Sequence, residues 1–271
     1  MSYLEKRIGK NKYACEITGN GEPLVLLHGF TGSSKTWEPF VHKWSSVFRV
    51  ITIDLPGHGN SVTPDFPTMI DFCDELKILL EELQVSKCHL LGYSMGGRVA
   101  LSFAQRHPEM VSSLILESAS PGLKTESERV ERKEKDAKLA DNILQNGLEA
   151  FVDEWESLPM FSTQKMLPDD AKATIRKERL AQSPTGLAGS LTYMGTGNQP
   201  SWWNRLSSIK VPVLLVVGGL DSKFVTINQE MEKQFNYGEL IIVHDASHAV
   251  HIEQAEKFVT IVMEFLYLKN N

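Results

Sequence analysis

Six short runs of this chain are apolar almost throughout: PLVLL at 23–27, FRVITIDL at 48–55, CHLLG at 88–92, SSLILE at 112–117, VPVLLVVGG at 211–219 and ELIIV at 239–243. A strand with one wet face alternates apolar and polar residues, so continuous runs predict strands buried on both faces. Such strands belong to a mostly parallel sheet, and each parallel pair needs a crossover segment. The segments between the runs supply it. In MIDFCDELKILLEEL, Cys73, Leu76, Leu80 and Leu83 recur at helical spacing, and RVALSFAQRHP reads as a second helix. The opening residues differ, because Gly9-Lys10-Asn11 between YLEKRI and YACEIT predicts an antiparallel hairpin on one edge. The expected class is α/β, and 271 residues with 42% hydrophobic content suffice for one such core.

One stretch breaks the alternation. Residues 122–200 contain no convincing buried strand, only helical patterns such as ESERVERKEKDAKLADNIL and DDAKATIRKERLAQ. Nearly eighty residues are too many for a plain loop, so a helical cap inserted at 122–200 is expected over the carboxyl edge of a core built from 1–121 and 201–271. The 28 basic and 34 acidic residues give a net charge of −6. That balance offers no global field for nucleic acid or anionic lipid, so any anion site must be local. The N-terminal MSYLEKRIGKNKY has no apolar signal region and no stretch is long enough to span a bilayer, which leads to the expectation of a cytoplasmic protein. Cys15, Cys73 and Cys88 lack metal-ligand spacing and are expected to be buried free thiols.

The chemistry centres on Gly92-Tyr93-Ser94-Met95-Gly96, a G-x-S-x-G directly after one apolar run and directly before a helix. That context defines a nucleophile elbow, in which both glycines make room for a tight turn and the serine hydroxyl is held clear of the backbone. A serine hydroxyl needs a base, and the base an orienting acid. Asp221 and His248 follow the last two apolar runs and complete the order Ser, Asp, His. Asp54 is an alternative acid. His28, His58, His244 and His251 are alternative bases, the first two sitting in glycine-rich loops where backbone bonding is the plainer role, His244 expected within the last strand and His251 in the helix after it. The loop HGFTGSS places the N–H of Phe30 where, with that of Met95, it could form an oxyanion hole.

Arg98 sits in the first turn of the helix after the serine, where the helix dipole already presents positive charge. A bound anion would compensate it, and so would an internal salt bridge. The cap region adds Arg129 and Arg132 on one helical face, and Arg179 further on. Arginine grips planar carboxylates in bidentate fashion, so the pattern points to a substrate with more than one carboxylate.

These pieces resemble the α/β-hydrolase superfamily along essentially the whole chain. The motifs GYSMGGR, ESASPGL followed by ERVER, EWESLPMF, YMGTGNQPSWW and GGLDSKF further resemble the 2-succinyl-6-hydroxy-2,4-cyclohexadiene-1-carboxylate synthase family. The resemblance implies a lyase of menaquinone biosynthesis that eliminates pyruvate from a small tricarboxylate, 2-succinyl-5-enolpyruvyl-6-hydroxy-3-cyclohexene-1-carboxylate, with no cofactor and no metal. It also implies Ser94, Asp221 and His248 as triad, and Arg98, Arg132, Arg179, Tyr93 and Trp155 as substrate-binding residues. In that chemistry the serine acts as a base. The rival readings are a serine hydrolase for carboxylic or thioesters and a binding protein without turnover.

Overall fold

The computed structural model describes residues 2–270; positions 1 and 271, the outer limits of the expected core, lie outside the described residues. Eight strands form one sheet: β1 (Ser2–Ile8), β2 (Asn11–Thr18), β3 (Pro23–Leu27), β4 (Arg49–Ile53), β5 (Cys88–Tyr93), β6 (Val111–Glu117), β7 (Val213–Gly218) and β8 (Gly238–Val243). Their spatial order is β1-β2-β4-β3-β5-β6-β7-β8. The β1–β2 and β2–β4 pairs are antiparallel and the rest are parallel. The continuously apolar runs therefore became the parallel strands, and the N-terminal hairpin extends one edge. Every residue of β5 and of β7 is buried, whereas β1 leaves four of its seven residues exposed, as an edge strand can.

Helices cover both faces. On one, α2 (Met69–Glu82) and α3 (Met95–Arg106) bring Leu76, Leu80, Val99 and Phe103 onto the sheet. On the other, α1 (Glu38–Trp44) and the long C-terminal helix Ala255–Asn270 pack Trp44, Phe258 and Val262 together with Trp37. The α2 start is fixed by a capping box, in which Thr68 and Asp71 satisfy each other's backbone N–H groups. No helix among the described residues is long and apolar enough to cross a membrane. Cys15, Cys73 and Cys88 are buried and unpaired.

Between β6 and β7 the described elements are helical: α4 (Glu126–Ser157), α5 (Asp169–Leu180), α6 (Pro184–Met194) and 3-10 turns. Helices α4 and α6 share an apolar cluster of their own, centred on Ile143, Phe151 and Leu187. Helix α4 is broken at Gly147, where φ is 85°. Glycine occupies this left-handed conformation without steric penalty, so the chain changes direction and the second half of α4 turns toward the sheet's carboxyl end. One sequence expectation fails in detail: His244 lies just past β8, not within it, because the strand ends at Val243 and the chain then turns back to deliver residues 244–249. The last elements are α7 (Ser222–Glu232) after β7 and α8 (Val250–Glu253) after β8.

Candidate active site

The elbow joins β5 to α3 through Ser94, whose φ of 50° and ψ of −105° are strained for a residue with a side chain. The glycines around it have no spare space. A Cβ at Gly92 would stand 2.3 Å from Gly96 O, and one at Gly96 2.1 Å from Leu27 O. The neighbouring strand holds the turn, since Ser94 N–H donates to Glu117 O at 2.8 Å.

His248 Nε2 lies 3.0 Å from Ser94 Oγ, and His248 Nδ1 lies 2.8 Å from Asp221 Oδ2. A carboxylate can only accept, so Nδ1 carries the proton toward Asp221 and Nε2 is left to accept from the serine hydroxyl. Asp221 closes the loop after β7 and caps α7, its Oδ1 accepting from Phe224 N–H at 3.3 Å. The His248 ring is buried among Tyr93, Phe161 and Phe224.

Among the alternatives, Asp54, His28, His58 and His251 are occupied elsewhere, and His244 is exposed just past β8. Asp54 Oδ1 accepts from Ser34 N–H at 2.6 Å and its Oδ2 from Asn60 N–H at 2.8 Å, so this carboxylate ties two loops together. The ring of His28 bridges Gly29 O and Leu55 N–H, while His58 bonds Pro56 O. Burial pulls their pKa values down to about 4 and about 3, respectively, so both are neutral near pH 7. His251 is fully buried against Glu117 at 2.9 Å.

A cavity of about 250 Å³ opens over the triad, with Phe30, Met95, Arg98, Arg132, Trp155 and Lys223 among its walls. Neither Phe30 N–H nor Met95 N–H has a partner among the described residues. Arg98 donates to Met194 O at 2.9 Å and Gln199 Oε1 at 3.2 Å. No ion pair holds it among the described residues, so the internal salt bridge weighed from sequence is not formed. Burial first, and then the Arg132 charge, lower its pKa to about 10, with Asp136 acting in the opposite direction. Arg132 pairs with Asp136 at 2.7 Å and still borders the cavity. Tyr93 lies under the serine with its ring 4.5 Å from that of His251. Trp155 stacks edgewise on Phe30 at 5.4 Å, and its indole N–H has no partner among the described residues.

Two arginines stand apart. Arg129 pairs with Glu126, and Arg179 does not border the main cavity. The Arg179 guanidinium bonds Glu156 at 3.0 Å and Gln164 at 3.1 Å, and lies over the far side of Phe161. Arg179, expected to meet substrate, thus lies where α5 pairs with the end of α4, and it borders a smaller hollow shared with Phe30 and Tyr93. Lys223 is a cavity cation that no sequence reading singled out. It makes no ion pair among the described residues, and its only signal is the sequence position two residues after Asp221, in the first turn of α7.

The comparisons agree with this picture. Residues 22–255 match the model of the α/β hydrolase fold family. A Bacillus subtilis (strain 168) protein with the provisional name 2-succinyl-6-hydroxy-2,4-cyclohexadiene-1-carboxylate synthase is 49% identical over 249 residues, covering 90% of each chain. The structure of MenH from S. aureus superposes with a TM-score of 0.91 and 38% identity, over 96% of this chain and 99% of that one. A thermophilic esterase from Thermogutta terrifontis, solved with malate bound, gives a TM-score of 0.88 at 26% identity with full coverage of both chains. The chain belongs to the α/β-hydrolase fold family and, within it, to the family of 2-succinyl-6-hydroxy-2,4-cyclohexadiene-1-carboxylate synthases.

Proposed function

We propose that this protein eliminates pyruvate from 2-succinyl-5-enolpyruvyl-6-hydroxy-3-cyclohexene-1-carboxylate, giving 2-succinyl-6-hydroxy-2,4-cyclohexadiene-1-carboxylate as a cytoplasmic step of menaquinone biosynthesis. One observation carries the reading to the residues: a serine already bonded to its histidine lies at the base of a cavity bordered by Arg98, Arg132 and Lys223. The substrate brings three carboxylates, and each cation would take one. Arg98, with neutral partners only, gains most from an anion. The helices between β6 and β7 act as the cap, contributing Arg132 and Trp155.

In the first step His248 takes the Ser94 proton and the serine oxygen removes the ring proton α to the succinyl ketone. Asp221 holds the imidazole and stabilises its positive charge. The electron pair of the broken C–H bond becomes an enolate on the ketone oxygen, which the N–H groups of Phe30 and Met95 stabilise. Collapse of the enolate shifts the ring alkene and breaks the ring C–O bond. The departing enolpyruvate takes the proton held by His248 and ketonises to pyruvate, while the serine keeps the proton it removed from the ring, so serine and histidine both return to their starting states.

The test is pyruvate release from freshly prepared substrate, comparing wild type with Ser94→Ala above the spontaneous background. Fast release lost in the variant supports the lyase; background release from both overturns it. The second reading, an ester hydrolase for anionic substrates, draws on the same triad and on the likeness to the malate-bound esterase. Turnover of neutral esters that does not depend on Arg98 would favour it.

A further inference from the structure

Behind Phe30 the chain runs through Thr31, Gly32, Ser33 and Ser34 into a short 3-10 turn at Ser34–Trp37. Thr31 is buried with φ of 69°, a left-handed conformation unusual for a β-branched residue. Packing alone does not fix this loop. A hollow of about 40 Å³ lies against it, bordered by Gly29, Phe30, Thr31, Gly32 and Tyr93. A strained segment beside empty space needs an anchor, and there are two. Asp54, from the sheet, accepts from Ser34 N–H at 2.6 Å. The other comes from outside the core: a single oxygen of Glu178, in the last turn of α5, accepts from Ser33 N–H, Ser33 Oγ and Thr36 Oγ1, each at 2.8 Å. One turn further on, Gln182 bonds the Glu178 carbonyl and accepts from Gly59 N–H, which fastens the same end of α5 to a second loop.

We infer that Glu178 is a positioning residue, a clamp by which helix α5 holds the loop bearing the Phe30 N–H in the geometry that receives the enolate oxygen. The inference rests on the proposed lyase reading and goes beyond it, since Glu178 borders no part of the main cavity. Three donors converging on one ionised oxygen make a strong anchor, and the carboxylate reaches the loop from across 142 to 145 residues of chain. Without it, Thr31 relaxes toward negative φ into the adjoining hollow and turns the neighbouring peptide, so the Phe30 N–H no longer meets the oxyanion. That donor matters in the transition state more than in the ground state.

The experiment compares Glu178→Ala and Glu178→Gln with wild type in pyruvate release, thermal melting and backbone amide hydrogen exchange. Complete loss of one oxyanion donor lowers kcat by roughly 10²- to 10³-fold, so a displaced donor is expected to cost Glu178→Ala at least about tenfold in kcat. KM should stay within about twofold, and exchange at residues 29–36 should speed up. Glutamine retains an accepting oxygen and is expected to restore most of the loss. Unchanged kcat and unchanged exchange in Glu178→Ala would overturn the inference, as would a glutamine variant no better than alanine. If Glu178→Ala fails to fold, Thr36→Val removes one of the three bonds from the loop side and must lower kcat without raising KM; an unaffected kcat overturns the clamp. Silence of the wild type toward the substrate would count against the lyase reading alone, and the exchange measurement would still decide the clamp.

Discussion

Replacing Arg98 with methionine separates the proposed role of this arginine from a structural one. Burial and then the nearby Arg132 charge pull the guanidinium's pKa from its ordinary value down to about 10. At roughly 1.4 kcal/mol per unit, keeping the charge there costs on the order of 3 kcal/mol in the empty protein. Methionine removes that cost, keeps most of the stem's volume, and leaves Met194 O and Gln199 Oε1 without their donor. Two such losses amount to roughly 2–6 kcal/mol. The terms largely offset each other, so the melting temperature is expected to stay within about 10 °C of wild type. Activity behaves otherwise. Charge-assisted bonds to a substrate carboxylate are worth about 1.5–3 kcal/mol, which predicts a fall in kcat/KM of roughly 10- to 100-fold. The assay is continuous pyruvate detection alongside a thermal melt of the same preparation. A large loss of stability with a proportionate loss of activity would refute the reasoning, and so would an unaltered kcat/KM.

Further outcomes are expected at three other positions. Lys223→Ala should raise KM about tenfold with little change in kcat, because an exposed ammonium binds a carboxylate in ground and transition states alike; steady-state kinetics checks this. Ser94→Gly should abolish turnover yet raise the melting temperature, since a left-handed residue with a side chain costs on the order of 1 kcal/mol and glycine removes the strain. His58 is neutral in the folded protein, with its pKa lowered by burial and then by His28, and takes up a proton on unfolding below pH 6.5. Stability supported by its neutral form is therefore full above pH 6.5 and lost as pH falls toward about 3, so His58→Asn should flatten the acid limb of a melting-temperature profile by one proton. An unaltered limb would remove His58 from the acid response.

Much of the fold is legible from six apolar runs, because a strand buried on both faces has no polar positions to interrupt it. The elbow is equally legible, since its glycines answer a local steric demand that Gly92 and Gly96 meet within one turn. Pairings that depend on how distant helices dock are not. Arg179 looks like a ligand-binding arginine in the sequence, but the docking of α5 on α4 delivers it to Glu156. Lys223 falls inside the GGLDSKF motif, but nothing in that motif shows that it faces the cavity, which it does because α7 starts at Asp221. The segment DLPGHGNS, at 54–61, is held by a pairing of the same long-range kind. Asp54 staples the loops at Ser34 and Asn60, and Gly59 must lack a side chain because a Cβ there would stand 2.2 Å from the Asp54 carboxylate.

The crowding of the elbow has a consequence for how such a protein can change. Gly92, Gly96 and Gly97 press against Leu27, His28 and Ala119, all in the sheet and its connections, so the reactive turn admits almost no variation and offers almost no adjustable parts. The helices between β6 and β7 touch it at a few points, Ser190 Oγ against Met95 Sδ and the Met194 carbonyl on Arg98, and they carry Arg132, Trp155 and Phe161 on the cavity wall. Diversification toward new substrates thus falls to those positions of the segment that hold neither the elbow nor the Phe30 loop. A library restricted to those helices, with Glu178 and Ser190 kept, should retain folding and serine reactivity while it samples specificity, whereas one spread over the elbow should yield mostly unfolded chains.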